Sequence, residues 1–116
     1  MALIVYGIKN CDTMKKTFNF LDEKGVAYDF IDYKKQKPTA ALLTSFLEKT
    51  SLATLVNKQG TTYKKMEEAQ KAALEKVETA LPSLIENSSM IKRPVIVYPD
   101  GSVTLGFVPD QIEGKI

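Results

Sequence analysis

The sequence has no histidine, one cysteine and one arginine among its 116 residues, and these shortages limit the chemistry available to it. Without histidine, neither a cysteine–histidine pair nor a serine–histidine–aspartate triad can form. One cysteine excludes an intrachain disulfide, and a zinc site cannot rest on a single cysteine without histidine. We therefore expect no metal and no bound cofactor.

The chain also lacks a strong excess of charge and any long apolar run. A net charge of +2 is too small to indicate nucleic acid binding, and the lysines are scattered as on a solvated surface. No stretch approaches the ~20 apolar residues of a membrane span. The first apolar run is short and enters the predicted fold directly, so we expect no signal peptide, no membrane contact and a cytoplasmic location.

The cysteine, Cys11, stands where a short apolar strand and a turn give way to an amphipathic helix. Asn10 is a suitable N-cap for that helix. A thiol at a helix start faces unpaired backbone N–H groups and the positive end of the helix dipole, which favour the reactive thiolate. Cys11 is therefore a candidate nucleophile. Burial as a small apolar residue is the alternative that position alone leaves open.

The order of predicted elements indicates an α/β fold. A strand, a helix and a second strand form a right-handed βαβ unit through about residue 33. A mostly helical segment follows at about 38–88, in which Pro82 is predicted to begin a separate short helix after one spanning about 65–80. A β-hairpin and a short helix close the chain. This plan predicts one domain over 1–116, with a thioredoxin-like (glutaredoxin-like) fold: a four-stranded mixed sheet, ordered β2-β1-β3-β4, and a helical insertion.

Two further polar features stand out. Arg93 precedes Pro94 at the start of a buried strand, and a guanidinium suits oxyanions and carboxylates. A cis Pro94 would aim Arg93 at the Cys11 loop, whereas a surface arginine before a trans proline is the alternative. The loop at 57–62, beginning with Asn57 and Lys58, has the residues of a binding loop, although a plain polar turn explains it equally well.

Several segments together resemble a known family. Residues 6–16, with their Asn-Cys-Asp-Thr sequence, are similar to the active-site loop of the arsenate reductase (ArsC-like) family, in its Spx/YffB-type branch. Residues 57–63 resemble the central loop of that branch. Its later motifs are similar to the Ile-Lys-Arg-Pro sequence within residues 90–95 and to the Gly-Phe sequence at the end of residues 103–107. The resemblance extends over essentially the whole chain, in order.

The resemblance implies a reductase site. According to this resemblance, Cys11 attacks an oxyanion or forms a mixed disulfide with glutathione. Arg93, beside a cis proline, binds the anion and stabilises the thiolate. Further residues would bind the substrate or thiol: Asn10, Asp12, Thr13, Asn57, Lys58 and Pro94. Glutathione is the expected co-substrate, a small thiol or oxyanion the expected substrate, and a monomer the expected state.

The sequence departs from the family pattern at two points. Arsenate reductases of this type use three arginines around the anion, and this chain has Arg93 alone. We therefore do not expect efficient arsenate reduction. Spx-type regulators commonly carry a Cys-x-x-Cys switch, and Met14 replaces its second cysteine here. The leading hypothesis is a thiol-dependent reductase resolved by an external thiol. The alternative is an Spx-like regulator that binds RNA polymerase without catalysis.

Overall fold

The computed structural model describes residues 2–116, whose contacts form two compact units. The sheet unit comprises the residues up to Gln36 together with Arg93–Ile116, and the helical unit is Lys37–Lys92. In chain order the elements are β1 (Leu3–Gly7), α1 (Asp12–Glu23), β2 (Tyr28–Asp32), α2 (Ala40–Leu47), α3 (Leu52–Leu55), α4 (Thr61–Lys64), α5 (Glu68–Ala73), α6 (Val77–Glu86), β3 (Val95–Val97), β4 (Val103–Leu105) and α7 (Pro109–Glu113).

The sheet unit contains the predicted four-stranded mixed sheet, in the order β2-β1-β3-β4. Strand β1 pairs in parallel with β2 and antiparallel with β3, and β4 pairs antiparallel with β3. Gly25, with a φ of +68°, follows α1 in the left-handed conformation that glycine adopts readily, so it ends the helix. The sheet order and its helices confirm the thioredoxin-like fold.

Alternate residues of β1 and one face of α1 build the core of the sheet unit. This follows from the two periodicities, since a strand turns every second side chain to one face and a helix every third or fourth. The buried cluster consists of Leu3, Val5, Met14, Leu21, Ile96, Tyr98 and Ile112. Packing of α1 on β1 thereby fixes the position of the loop that joins them, which contains Cys11.

Gly7, the last residue of β1, is in close contact with this core. A Cβ atom added there would lie 2.6 Å from Sδ and 2.7 Å from Cε of Met14, which is fully buried. We predict that Gly7→Ala lowers the free energy of unfolding by about 1–3 kcal/mol, the usual cost of overpacking a filled core. Urea denaturation measures the change.

Gly114→Ala is the matched control for this substitution. A Cβ at Gly114 would come no closer than 3.5 Å to Asp110 O, which is an ordinary contact. The control should leave the urea midpoint nearly unchanged. Equal midpoints for the two variants would show that the Met14 side chain makes room without cost, which contradicts the prediction.

The helical unit begins as the sequence predicts and then departs from it. Thr39 caps α2, its hydroxyl accepting the Leu42 N–H at 3.1 Å. The prediction of one helix over about 65–80 is wrong, because the structure has two helices there, α5 and α6. The Thr79 hydroxyl donates to Ala73 O at 2.5 Å across the break, and Lys76 O accepts the Ala80 N–H at 2.8 Å as α6 begins.

Pro82 is the second departure in the helical unit. It lies inside α6 instead of beginning a new helix. Proline removes one backbone donor from a helix, and the buried Ala80 and Leu84 on either side of it hold α6 in the unit's core. Packing therefore outweighs the local preference. No helix within residues 2–116 has both the length and the apolar character needed to cross a membrane.

Candidate active site

Cys11 is the N-cap of α1, and Asn10 is not. Cys11 has extended backbone angles, φ −142° and ψ 134°, and its carbonyl accepts the first helical hydrogen bond from Lys15 N–H at 3.0 Å. The prediction that Asn10 caps the helix is therefore wrong. Because Cys11 itself adopts the extended conformation, α1 begins one residue later than an Asn10 cap requires, and Asn10 stays exposed in the preceding bend.

The surroundings of Cys11 favour its ionised form. Its side chain is half-buried and makes no capping hydrogen bond of ordinary geometry. Burial raises the pKa of the thiol and is the largest contribution. The backbone N–H groups of Met14 and Thr13, together with the charge and hydrogen bond of Arg93, outweigh burial, so the pKa is lowered overall. Cys11 is thus a half-accessible thiol biased toward thiolate, the form that attacks sulfur and carbon electrophiles.

Arg93 reaches Cys11 through the topology of the sheet. Val95 of β3 pairs with Tyr6 of antiparallel β1, so the start of β3 lies at the edge where β1 ends and its loop leads to Cys11. Arg93 lies just outside that start, half-buried, and is joined to the buried Pro94 by a cis peptide bond, as the resemblance implies. The surface-arginine alternative does not describe this residue, since its guanidinium acts directly on the Cys11 thiol.

Two other predicted residues begin α1. Asp12 is exposed in the first turn, where its carboxylate is close to the positive end of the helix. Thr13 is half-buried, and it acts on Cys11 through its backbone N–H. Its carbonyl accepts the hydroxyl hydrogen bond of Thr17 at 2.9 Å. The structure therefore brings Thr13 to the thiol by its backbone N–H.

Asn57 and Lys58 belong to the helical unit. Asn57 donates its N–H to Met90 O at 2.7 Å, and its side-chain oxygen accepts the Gln59 N–H at 3.2 Å, so the residue fixes its own turn. Lys58 lies on a cavity of about 280 Å³ whose other lining residues are Leu52, Ala53, Leu74 and Glu75. The contacts of Asn57 and Lys58 given above lie within the helical unit, and their role in binding the substrate or thiol stays a prediction.

Tyr33 is a residue of the site region that sequence reasoning did not select. It directly follows β2, and its N–H donates to Gly7 O at 2.8 Å, which places it at the edge of the sheet where β1 ends. The topology could have indicated Tyr33, because the parallel strands β1 and β2 have their carboxyl ends at the same edge of the sheet. Within residues 2–116, no group of three or more histidine, cysteine, aspartate or glutamate side chains is arranged to hold a metal ion.

A mixed four-stranded sheet with a cysteine at the start of its first helix and a cis proline before β3 is the arrangement of a thioredoxin-fold protein. The chain belongs to the ArsC family, whose family model matches residues 6–114. That match spans both units, from the end of β1 to the C-cap of α7.

Individual relatives agree with this placement. An uncharacterized protein of Haemophilus influenzae is 39% identical over 105 residues, which is 90% of each chain. The solved structure of a protein named YFFB has a TM-score of 0.90 and 41% identity, covering 98% of both chains. An arsenate reductase (ArsC) related protein from Brucella melitensis has a TM-score of 0.78 and 39% identity, over 98% of this chain and 93% of its own.

Proposed function

We propose that this protein is a thiol-dependent reductase in which Cys11 is the nucleophile and glutathione the external thiol. The observation that carries the proposal is the Cys11 thiol with its lowered pKa, at the start of α1 and hydrogen-bonded by Arg93. Membership of the ArsC family supports it, because family members with solved structures include arsenate reductase related proteins.

The reaction would proceed by thiol–disulfide exchange. The Cys11 thiolate attacks one sulfur of a disulfide substrate, a new sulfur–sulfur bond forms, and the substrate's other sulfur leaves as a thiolate. Arg93 and the α1 N–H groups hold Cys11 ionised before the attack. Glutathione thiolate then attacks the mixed disulfide at the substrate's sulfur, which releases Cys11 as thiolate and leaves the substrate joined to glutathione.

The external thiol follows from the cysteine count. Cys11 is the one cysteine of the chain, and Met14 stands where a Cys-x-x-Cys motif would place a resolving thiol. A thioether cannot attack a mixed disulfide to form a new one, so a second molecule must supply the thiol. A glutathione-rich compartment provides that reductant and keeps Cys11 reduced, consistent with a cytoplasmic location.

Arsenate is not part of the proposal. An arsenate dianion needs more positive charge than one guanidinium supplies, and Arg93 is the chain's only arginine. A disulfide is uncharged at the reacting sulfur atoms and needs only a stabilised thiolate. The chemistry of this site therefore favours sulfur substrates over arsenate.

We predict that the rate of Cys11 alkylation by iodoacetamide, followed across pH, gives a pKa below that of an ordinary cysteine. The thiolate reacts and the thiol does not, so the rate rises with pH and levels off above the pKa. Free cysteine titrated in the same buffers is the reference. A Cys11 curve that coincides with the reference, or lies at higher pH, would contradict the proposed function.

A further inference from the structure

Tyr33 combines deep burial with an unused hydroxyl. Its side chain is 3% exposed, and its hydroxyl has no hydrogen-bond partner among residues 2–116. An unpaired buried hydroxyl is costly, because it loses its hydrogen bonds to water and gains none in return. Such a group is a candidate for binding something that arrives from outside the chain.

The backbone and the ring of Tyr33 fix the position of its hydroxyl. The Tyr33 N–H bond to Gly7 O anchors the residue beside the end of β1. Its ring stacks on that of Tyr6, with centroids 6.2 Å apart and planes inclined by 20°. Both contacts lie at the sheet edge from which the Cys11 loop departs. Tyr33 is therefore rigidly held, as a recognition group must be.

Arg93 connects Tyr33 to the thiol. Burial and the neighbouring Tyr6 raise the pKa of Tyr33, while the Arg93 guanidinium acts in the opposite direction without reversing the shift. The phenol is thus a neutral donor at physiological pH, close enough to Arg93 to sense its charge. Arg93 in turn hydrogen-bonds Cys11. The guanidinium is therefore close to both the nucleophile and an unpaired O–H donor.

We propose that Arg93 and the Tyr33 hydroxyl form a carboxylate-binding subsite next to Cys11, which selects thiol or disulfide substrates bearing a carboxylate close to the reacting sulfur. One guanidinium matches one negative charge, and the phenol O–H supplies a donor for the second oxygen. A dianion would leave half its charge uncompensated there. This inference rests on the proposed function, since it names the substrate class of the same nucleophile.

Two alkylating reagents of nearly equal size test the subsite. Iodoacetate carries a carboxylate next to the reacting carbon, and iodoacetamide carries a neutral amide. In both reactions the Cys11 sulfur bonds to that carbon and iodide leaves with the electron pair. The ratio of the two rate constants therefore measures carboxylate recognition, because any change in the thiolate fraction affects both reagents equally. Wild-type Cys11 should give a higher iodoacetate-to-iodoacetamide ratio than free cysteine.

Tyr33→Phe keeps the ring and removes the hydroxyl. The ratio should fall about tenfold, the effect of losing a hydrogen bond to a charged group. The iodoacetamide rate and the urea midpoint should not fall, because the hydroxyl stabilises neither the thiolate nor the fold. Tyr98→Phe is the matched control: Tyr98 is also 3% exposed, but its hydroxyl pairs with Thr104 Oγ1 at 2.8 Å. That variant should lose stability and keep the wild-type ratio.

The outcomes separate this subsite from the proposed function. A wild-type ratio equal to that of free cysteine, or an unchanged ratio in Tyr33→Phe, would overturn the subsite while leaving the reductase proposal standing. Equal slowing of both reagents in Tyr33→Phe would also overturn it, by showing that the hydroxyl acts on the thiol. If alkylation by iodoacetamide across pH gave Cys11 the same pKa as free cysteine, the reductase proposal would instead be overturned.

Discussion

Cys11→Ser should abolish covalent chemistry with oxidised glutathione. Wild-type protein is expected to gain the mass of one glutathionyl group, because the Cys11 thiolate breaks the sulfur–sulfur bond and expels one glutathione thiolate. Serine is nearly isosteric, but its hydroxyl is not appreciably ionised near neutral pH and forms no stable adduct with sulfur. Intact-protein mass spectrometry should show a complete shift for the wild type and none for the variant.

Two controls make this result specific. Wild-type protein treated with iodoacetamide beforehand should behave like Cys11→Ser, since the same sulfur is blocked without a change of sequence. The urea midpoint of Cys11→Ser verifies that the variant is folded. A wild-type protein that forms no adduct would contradict the reductase proposal. Retrieval of RNA polymerase subunits from cell extract by wild type and Cys11→Ser alike would then favour the regulator alternative.

Arg93→Gln should slow the reaction of Cys11 strongly and raise its pKa. The substitution removes both the positive charge and the hydrogen bond that lower this pKa. A charge-assisted hydrogen bond of ~1.5–3 kcal/mol corresponds to a rate loss of about tenfold or more with iodoacetamide at neutral pH. With iodoacetate the loss should approach about a hundredfold, because the carboxylate loses its cation as well.

Arg93→Lys and Lys92→Gln sharpen the interpretation. Arg93→Lys keeps the charge but loses the planar fork, so its rates should fall between those of the wild type and Arg93→Gln. Lys92→Gln removes a cation from the adjacent position, which belongs to the helical unit. Its rates should match the wild type. An equal slowing in Lys92→Gln would show that net charge, and not the Arg93 guanidinium, governs the thiol.

Much of the sheet unit could be predicted because its signals are local. The apolar run of β1, the face of α1 marked by Met14 and Leu21, and the left-handed Gly25 each indicate one conformation. The order of the elements then allows few topologies, since a βαβ crossover has one favoured hand. Cys11 and Arg93 could be selected for a related reason: the helix start and the residue before Pro94 can both be located without knowing the fold.

The errors arose where neighbouring or distant contacts outweigh local preference. Asn10 is the better N-cap by residue type, yet the extended backbone of Cys11 begins the helix. Pro82 favours a helix start, yet α6 continues through it. Tyr33 was not selected because a tyrosine after a strand has no special pattern. Its relevance comes from a hydroxyl left unpaired by packing, and packing cannot be seen in one dimension.

The helix start that activates Cys11 also couples proton loss to folding. Because the folded protein lowers the thiol's pKa, ionisation contributes stability that is complete above the unfolded pKa and is lost as pH falls through the folded one. A mixed disulfide carries no charge on that sulfur and lacks this contribution. The adduct is therefore the less stable covalent state, and reduction returns the protein to the form that its fold favours. The same N–H groups and guanidinium thus raise the reduction potential of any disulfide formed at Cys11.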